Sequence, residues 1–214
     1  ATWPEADFIV GNPPFIGNKR MRDALGDGYA EALWAAYPRM PQSADFVMFW
    51  WEKAALAARD LKLTTGTTRA TGARRFGFIT TNSLRQTFNR KVLEPHLSDE
   101  KSPLSLVYAI PDHPWVDAGD GAAVRIAMTV AKAGRESGRL LTITEEKKGE
   151  YEAEGRPVTF SIEKGKLFAD LRIGAAVSEA TALKSNSGIA WQGCKLVGSG
   201  FQISAGQRRH WLQQ

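Results

Sequence analysis

Four consecutive residues carry most of the chemistry in this chain: Asn12, Pro13, Pro14 and Phe15. They come directly after Asp7-Phe8-Ile9-Val10-Gly11, a short apolar run of β-forming residues that ends at glycine. An exocyclic amine on an aromatic ring is a poor nucleophile because its lone pair is delocalised into the ring. To activate it, a protein must accept its N–H bonds and draw the nitrogen towards tetrahedral geometry, which takes two oxygen acceptors. The side-chain carbonyl of Asn12 is one. The main-chain carbonyl of Pro13 is the other, on a Pro-Pro backbone without competing N–H donors. A residue before proline is biased to an extended conformation, which aims Asn12 out from the strand end. Phe15 adds a flat apolar surface for stacking. The plainer reading is a proline-rich turn; placement right after a strand and just before an aromatic favours the chemical one.

The elements that must hold these residues are read from the apolar pattern. Residues 7–11 fit a buried parallel strand better than an edge strand. Ser43–Arg59 predicts a helix capped by Ser43 or Asp45, with a broad stripe through Phe46, Phe49, Trp50, Lys53 and Ala57, one face of which should lie on a sheet. Leu61–Arg75, rich in Gly, Thr and Arg, reads as an exposed loop. Arg75–Asn82 is a second buried strand, and Asn82-Ser83 can cap a helix that Pro95 should end. Leu104–Ile110 and Ala122–Ala131 are further strands, expected to be antiparallel to one another. Leu140–Thr144 and Pro157–Ile162 suggest a hairpin. Residues 173–214 are rich in Gly, Ser and Gln, with strand-like pieces at 189–191 and 201–203, so a boundary is placed near Arg172. Asp7 and Asp45 read as structural residues, and Gly26-Asp27-Gly28 and Gly119-Asp120-Gly121 as loop turns.

The chain has 214 residues, 43% of them hydrophobic, enough for one principal core. No run approaches the length of a membrane span, and the first residues lack a leader pattern, so a cytoplasmic protein with no membrane partner is expected. Cys194 has no cysteine partner, and His96, His113 and His210 are too scattered for a zinc site, so no metal is expected. The net charge of +5 suits a polyanionic partner. The candidate contacts to a nucleic-acid backbone are Lys19, Arg20, Arg74, Arg75 and Arg85.

DFIVGNPPF resembles motif IV of the amino-methyltransferases, and the segments after it stand in an order that resembles the gamma-class DNA adenine methyltransferases. ADFVMFWWEKAALAA is similar to motif V, FGFITTNSL to motif VI, and SLVYAIPDHPWVDAGDGAAVRIAMTVAKAG to motifs VII and VIII. More narrowly, Trp115 ahead of AAVRIAMTVA, then LKSNSGIAWQGCKLVGSGFQIS, resembles the large single-chain restriction-modification enzymes of the MmeI type. The resemblance covers nearly the whole chain and is most specific at residues 7–15.

The resemblance implies an α/β fold: the C-terminal half of a Rossmann-like class I methyltransferase sheet, with parallel strands, a terminal antiparallel pair, helices on both faces and a small β-rich appendage. It divides the chain into a catalytic half (1–135), a hairpin and connector (136–172) and the start of a target-recognition region (173–214). It implies methyl transfer from S-adenosylmethionine to adenine N6 in double-stranded DNA, in a restriction-modification or phage-defence system. Asn12, Pro13, Pro14 and Phe15 would be catalytic, and the flipped base would stack between Phe15 and Trp115, with His113 a weaker match to Trp115. Phe15 stands where the family usually has tyrosine, so a hydroxyl contact is absent while stacking is kept. The family's glycine-rich cofactor turn and its acidic partner find no match here. A piece of a longer enzyme, inactive by itself, is therefore expected, with the Phe8-Ile9-Val10 edge prone to self-association. An RNA or protein-glutamine methyltransferase, and a non-catalytic DNA-binding or scaffold module, stay open.

Overall fold

The computed structural model describes residues 3–4, 6–60, 62–63, 70–71, 73–115, 124–146, 158–175, 180 and 183–189. In chain order its elements are β1 (Phe8–Gly11), α1 (Met21–Leu25), α2 (Asp27–Ala36), α3 (Val47–Arg59), the two-residue strands β2 (Lys62–Leu63) and β3 (Ala70–Thr71), β4 (Arg75–Thr81), α4 (Thr87–Ser98), β5 (Leu104–Pro114), β6 (Arg125–Ala133), β7 (Gly138–Glu146) and β8 (Val158–Gly165). The chain divides into two compact units, Ala1–Ser178 and Glu179–Gln214. The first contains every strand and helix named above. In the second, Lys184–Asn186 form a 3-10 turn. Ile189 lies in a turn, and the rest of the two strand-like pieces expected near it lies outside the described residues.

Six strands form one mixed sheet in the order β1-β4-β6-β5-β7-β8. β1 runs parallel to β4, and β6 lies antiparallel between β4 and β5. The predicted antiparallel pair is therefore present, with β6 shared between two parallel neighbours. Alternation along β4 sends Phe76, Phe78 and Thr80 into the core and leaves Gly77, Ile79 and Thr81 half-buried. α3 and α4, the helices that pack against the sheet among the described residues, cover the first face. Ala54, Ala55 and Ala58 let α3 approach closely, and its fully buried Trp51 meets Phe76 edge-on at 5.1 Å. Burying a side chain such as Phe76 contributes about 1.5–3 kcal/mol.

Several expectations are corrected. β1 is an edge strand among the described residues: it pairs with β4 alone, and Phe8 and Val10 are 62% and 85% exposed. Helices are predicted on both faces, yet Phe8, Val10, Ile79, Tyr108, Met128 and Val130 line an open cleft of about 610 Å³ on the second face. The predicted loop at 26–28 is instead a break between two helices, α1 and α2. Gly26 makes that break with a φ of 82°, a conformation that suits glycine. α4 runs on past Pro95 to Ser98. Proline costs that helix a backbone bond, but a buried cluster holds the last turn against α3. His96 Nε2 donates to Glu52 (2.6 Å) and its Nδ1 accepts from Arg59 (3.1 Å), which also binds Asp99 and Ser102. The hairpin at 136–172 extends the main sheet, because β7 pairs in parallel with β5. Gly138 permits that approach, since a Cβ there would lie 2.2 Å from the Leu106 carbonyl oxygen.

Candidate functional site

Because β1, β4 and β5 point the same way, their C-terminal ends share one rim of the sheet. Asn12 leaves that rim from the end of β1. Its side chain is exposed and makes no hydrogen bond among the described residues, nor does the Pro13 carbonyl accept one. The Pro14 carbonyl, by contrast, accepts the Ile16 N–H at 3.1 Å. Two oxygen acceptors are thus adjacent and unused, on a backbone stiffened by two prolines. Phe15 is half-buried beside a cavity of about 200 Å³ that Ile16, Gly17, Asp45, Val47, Thr81 and Ser83 also line.

Trp115 stands on the same rim, directly after β5. Its N–H donates to the Val124 carbonyl at 2.9 Å, closing the base of the 116–123 segment, whose residues lie outside the described set. Two strands separate β5 from β1, a lateral step of roughly 14 Å at about 4.8 Å per strand, and Trp115 lies further along its own strand, six residues past Ala109, which is level with Gly11. The rim brings Phe15 and Trp115 to one side without joining them. His113 instead stacks on Phe160 at 6.1 Å.

The loop base is tied down by charge. Arg125 donates to Asp112 at 2.6 Å and to Glu146 at 2.7 Å, and Asn82 donates to Asp112 at 3.2 Å. Asn82 is therefore a rim tether and not a helix cap. Burial alone would push the Asp112 carboxyl up, but the hydrogen bonds from Arg125 and Asn82 outweigh it and hold the group below its ordinary 3.8. The two carboxylates likewise push Arg125 above its usual range.

Asp45 does not cap α3 either. Phe46 occupies the cap position with no side-chain bond, while the Asp45 carboxylate accepts from Asn18, Ser83 and Asn89. Asp7 has the structural role expected, pairing with Arg74 at 3.1 Å. The cationic candidates separate into two groups. Lys19, Arg20 and Arg85 lie on the Asn12 rim, whereas Arg74 and Arg75 lie at the opposite end of the sheet, where β4 begins. The described residues contain no group of three or more His, Cys, Asp or Glu side chains that could hold a metal ion, and no helix long and apolar enough to cross a membrane.

Parallel strands ending at one rim, an antiparallel strand wedged among them and an Asn-Pro-Pro-Phe turn at that rim define a methyltransferase-like α/β domain. A family model described as MmeI, DNA-methyltransferase domain, matches residues 3–142, and the chain belongs to that family. Among solved structures, the type IIL restriction-modification enzyme MmeI in complex with DNA superposes with a TM-score of 0.54 at 22% identity. The match covers 79% of this chain and 20% of that one, so the chain spans about a fifth of the length of MmeI. A modification subunit from Vibrio vulnificus YJ016, attributed to a type I restriction enzyme, matches with a TM-score of 0.40 at 16% identity, covering 70% of this chain and 27% of that one. No curated protein matches the sequence.

The Asp112 cluster gives a pH test. A carboxyl held below 3.8 in the folded state contributes stability that is present above about pH 4 and is lost as pH falls through the depressed value. Asp112→Asn should therefore lower the thermal stability of the chain near neutral pH by about 1 kcal/mol or less, as expected for a part-exposed ion pair. The two melting curves should converge as pH falls through that depressed value. A gap of constant size down to about pH 2 would show that the Asp112 charge is not its source.

Proposed function

We propose that this chain is part of an S-adenosylmethionine-dependent DNA methyltransferase acting on adenine N6 in double-stranded DNA, within a restriction-modification system. The observation that carries the reading is the exposed Asn12 amide beside the unused Pro13 carbonyl, at an open strand end next to the Phe15 ring. S-adenosylmethionine would supply the methyl group as a sulfonium electrophile. The described residues do not form a site for it, because no strand end here carries a glycine-rich turn with an acidic partner. What they do therefore concerns the amine, and the chain alone is expected to be inactive.

The target base leaves the duplex stack and Phe15 supports one of its faces. Trp115, on the same rim, would serve the other. Asn12 and Pro13 accept the two N–H bonds, so the nitrogen lone pair is withdrawn from the ring and becomes nucleophilic. Once methylated, the nitrogen is cationic and acidic, and its proton leaves to water without a dedicated base. Lys19, Arg20 and Arg85 share the rim with Asn12, which favours them over Arg74 and Arg75 as contacts to the DNA backbone.

In the complete enzyme, Asn12→Ala should slow methylation by about a hundred- to a thousandfold, the cost of losing one preorganised polar contact to a transition state. Duplex affinity should stay within a few fold, since phosphate contacts dominate it. Nucleoside analysis of the treated DNA reads both rate and product. Unchanged turnover, or methyl groups found on RNA or protein glutamine instead of DNA, would overturn the assignment.

Trp115→Ala should slow methylation of a paired adenine more than it weakens binding to a duplex with an abasic target, since stacking on an extruded base contributes roughly 1–3 kcal/mol. Equal small losses in both assays would mean that Trp115 only packs.

The exposed β1 edge supports one further partner, a second copy of the isolated chain pairing through Phe8-Ile9-Val10. Light scattering should then show dimers or larger species that Val10→Lys disperses. A stable monomer would show the edge to be protected.

A further inference from the structure

Packing holds the turn that carries the two acceptors only in part. Pro13 is buried and Ile16 packs against the core, but Asn12 and Pro14 are exposed, and Phe15, Ile16 and Gly17 border a cavity of about 200 Å³. Atoms facing a void lose the contacts that would otherwise fix them. Two polar tethers complete the hold. The Asn18 N–H donates to Asp45 Oδ1 at 3.0 Å, and the Phe46 N–H donates to the Ile16 carbonyl at 2.9 Å.

Asp45 is in turn held by the end of β4 and by α4. Its Oδ2 accepts from Ser83 Oγ at 2.8 Å and from Asn89 Nδ2 at 2.7 Å, while its own N–H donates to Asn89 Oδ1 at 2.9 Å. Asn89 is 4% exposed, and its amide also donates to the Ser83 carbonyl at 3.1 Å. Thr81 Oγ1 meets Ser83 Oγ at 2.5 Å, and with Ser83 donating to Asp45 the Thr81 hydroxyl is the donor in that pair. Every donor around the carboxylate thus points at it, and its orientation is fixed from two elements distant in sequence.

We propose that Asp45 is the positioning residue of the Asn12–Phe15 turn: through Asn18 it locks the turn to the end of β4 and to α4, and so sets where the two amine acceptors stand. This rests on the function proposed above for Asn12 and Pro13, on which Asp45 acts through the turn. The charge is required for a geometric reason. An asparagine at position 45 would turn an N–H towards the Asn89 amide donors, and flipping Asn89 would set its N–H against the backbone N–H of residue 45. Exchanging the two residues restores acceptors opposite donors at all but the Ser83 carbonyl.

The test compares Asp45→Asn, Asn89→Asp and the double variant in the complete enzyme, by single-turnover methylation and by hydrogen exchange of the peptide covering Phe15–Arg20. Asp45→Asn should lower the single-turnover rate at least tenfold with KM for DNA within about threefold. Exchange in the Phe15–Arg20 peptide should speed up at least tenfold while peptides of β4 and β6 are unchanged, and the double variant should regain most of both. A loss of rate that tracks a fall in the folded fraction would reduce Asp45 to a stability residue. Unchanged exchange at Asn18, or faster exchange with an unchanged rate, overturns the proposal. If the unmodified enzyme methylates no DNA, the proposed function fails by itself, and the exchange result still decides whether Asp45 holds the turn.

Discussion

Parallel pairing of β1 with β4 is the interaction on which the rest of the molecule depends. A parallel pair cannot be joined by a tight turn, so the chain must cross over before it can lay β4 beside β1. That crossover is spent on α1, α2 and α3, and it returns the strand in a register that sets Gly11 beside Phe78. Both strands then end on the same rim. Asn12 continues from one end and Asn82 from the other, and a four-residue strand suffices to aim the turn because its neighbour is anchored under α3. Had the two strands run in opposite directions, the acceptors and the Asp112 cluster would lie at opposite ends of the sheet.

The rim shows a division of labour between packing and polar bonds. Beneath the sheet, Trp51, Phe76 and Phe78 are closely packed, and the backbone there is held by burial. At the rim, packing gives way to a cavity beside Phe15 and to a loop base at Trp115 that backbone and charged bonds close. Here the geometry rests on two separate carboxylates. Asp45 ties the turn after β1 to β4 and α4, and Asp112 ties β5 to β6 through Arg125 and to β4 through Asn82. Directional bonds hold a surface in place without filling the space beside it.

Much of this is legible in the residues because the decisive signals are local. Alternation marks β4, the run ending at Gly11 marks β1, and the strand-adjacent Asn-Pro-Pro-Phe turn marks the site. Asp45 is not legible, because an aspartate ahead of a helix has the same local appearance whether it caps the helix or binds Asn18, Ser83 and Asn89, all remote in sequence. Pro95 misleads for the same reason: its local cost is real, and the Glu52, His96 and Arg59 cluster that offsets it is tertiary. The attachment of the β7 and β8 hairpin to the sheet depends on how closely Gly138 approaches Leu106, which no periodicity encodes. α1 and α2 escape notice because Gly26, which separates them, reads as loop.

The position of β6 also bears on the order in which the sheet can assemble. β5 and β6 are neighbours in sequence and form a hairpin at little cost in loop closure, whereas β4 must wait for a strand synthesised about fifty residues later before its second edge is covered. β6 therefore acts as a keystone. Until it docks, β4 is paired on one side only and its apolar second face has no neighbouring strand beyond β1. Assembly of the rim is then a late, non-local event, governed by the slow pairings that set folding rates in mixed sheets. A chain stalled before Ala133 would hold the Asn-Pro-Pro-Phe turn with no rim to support it.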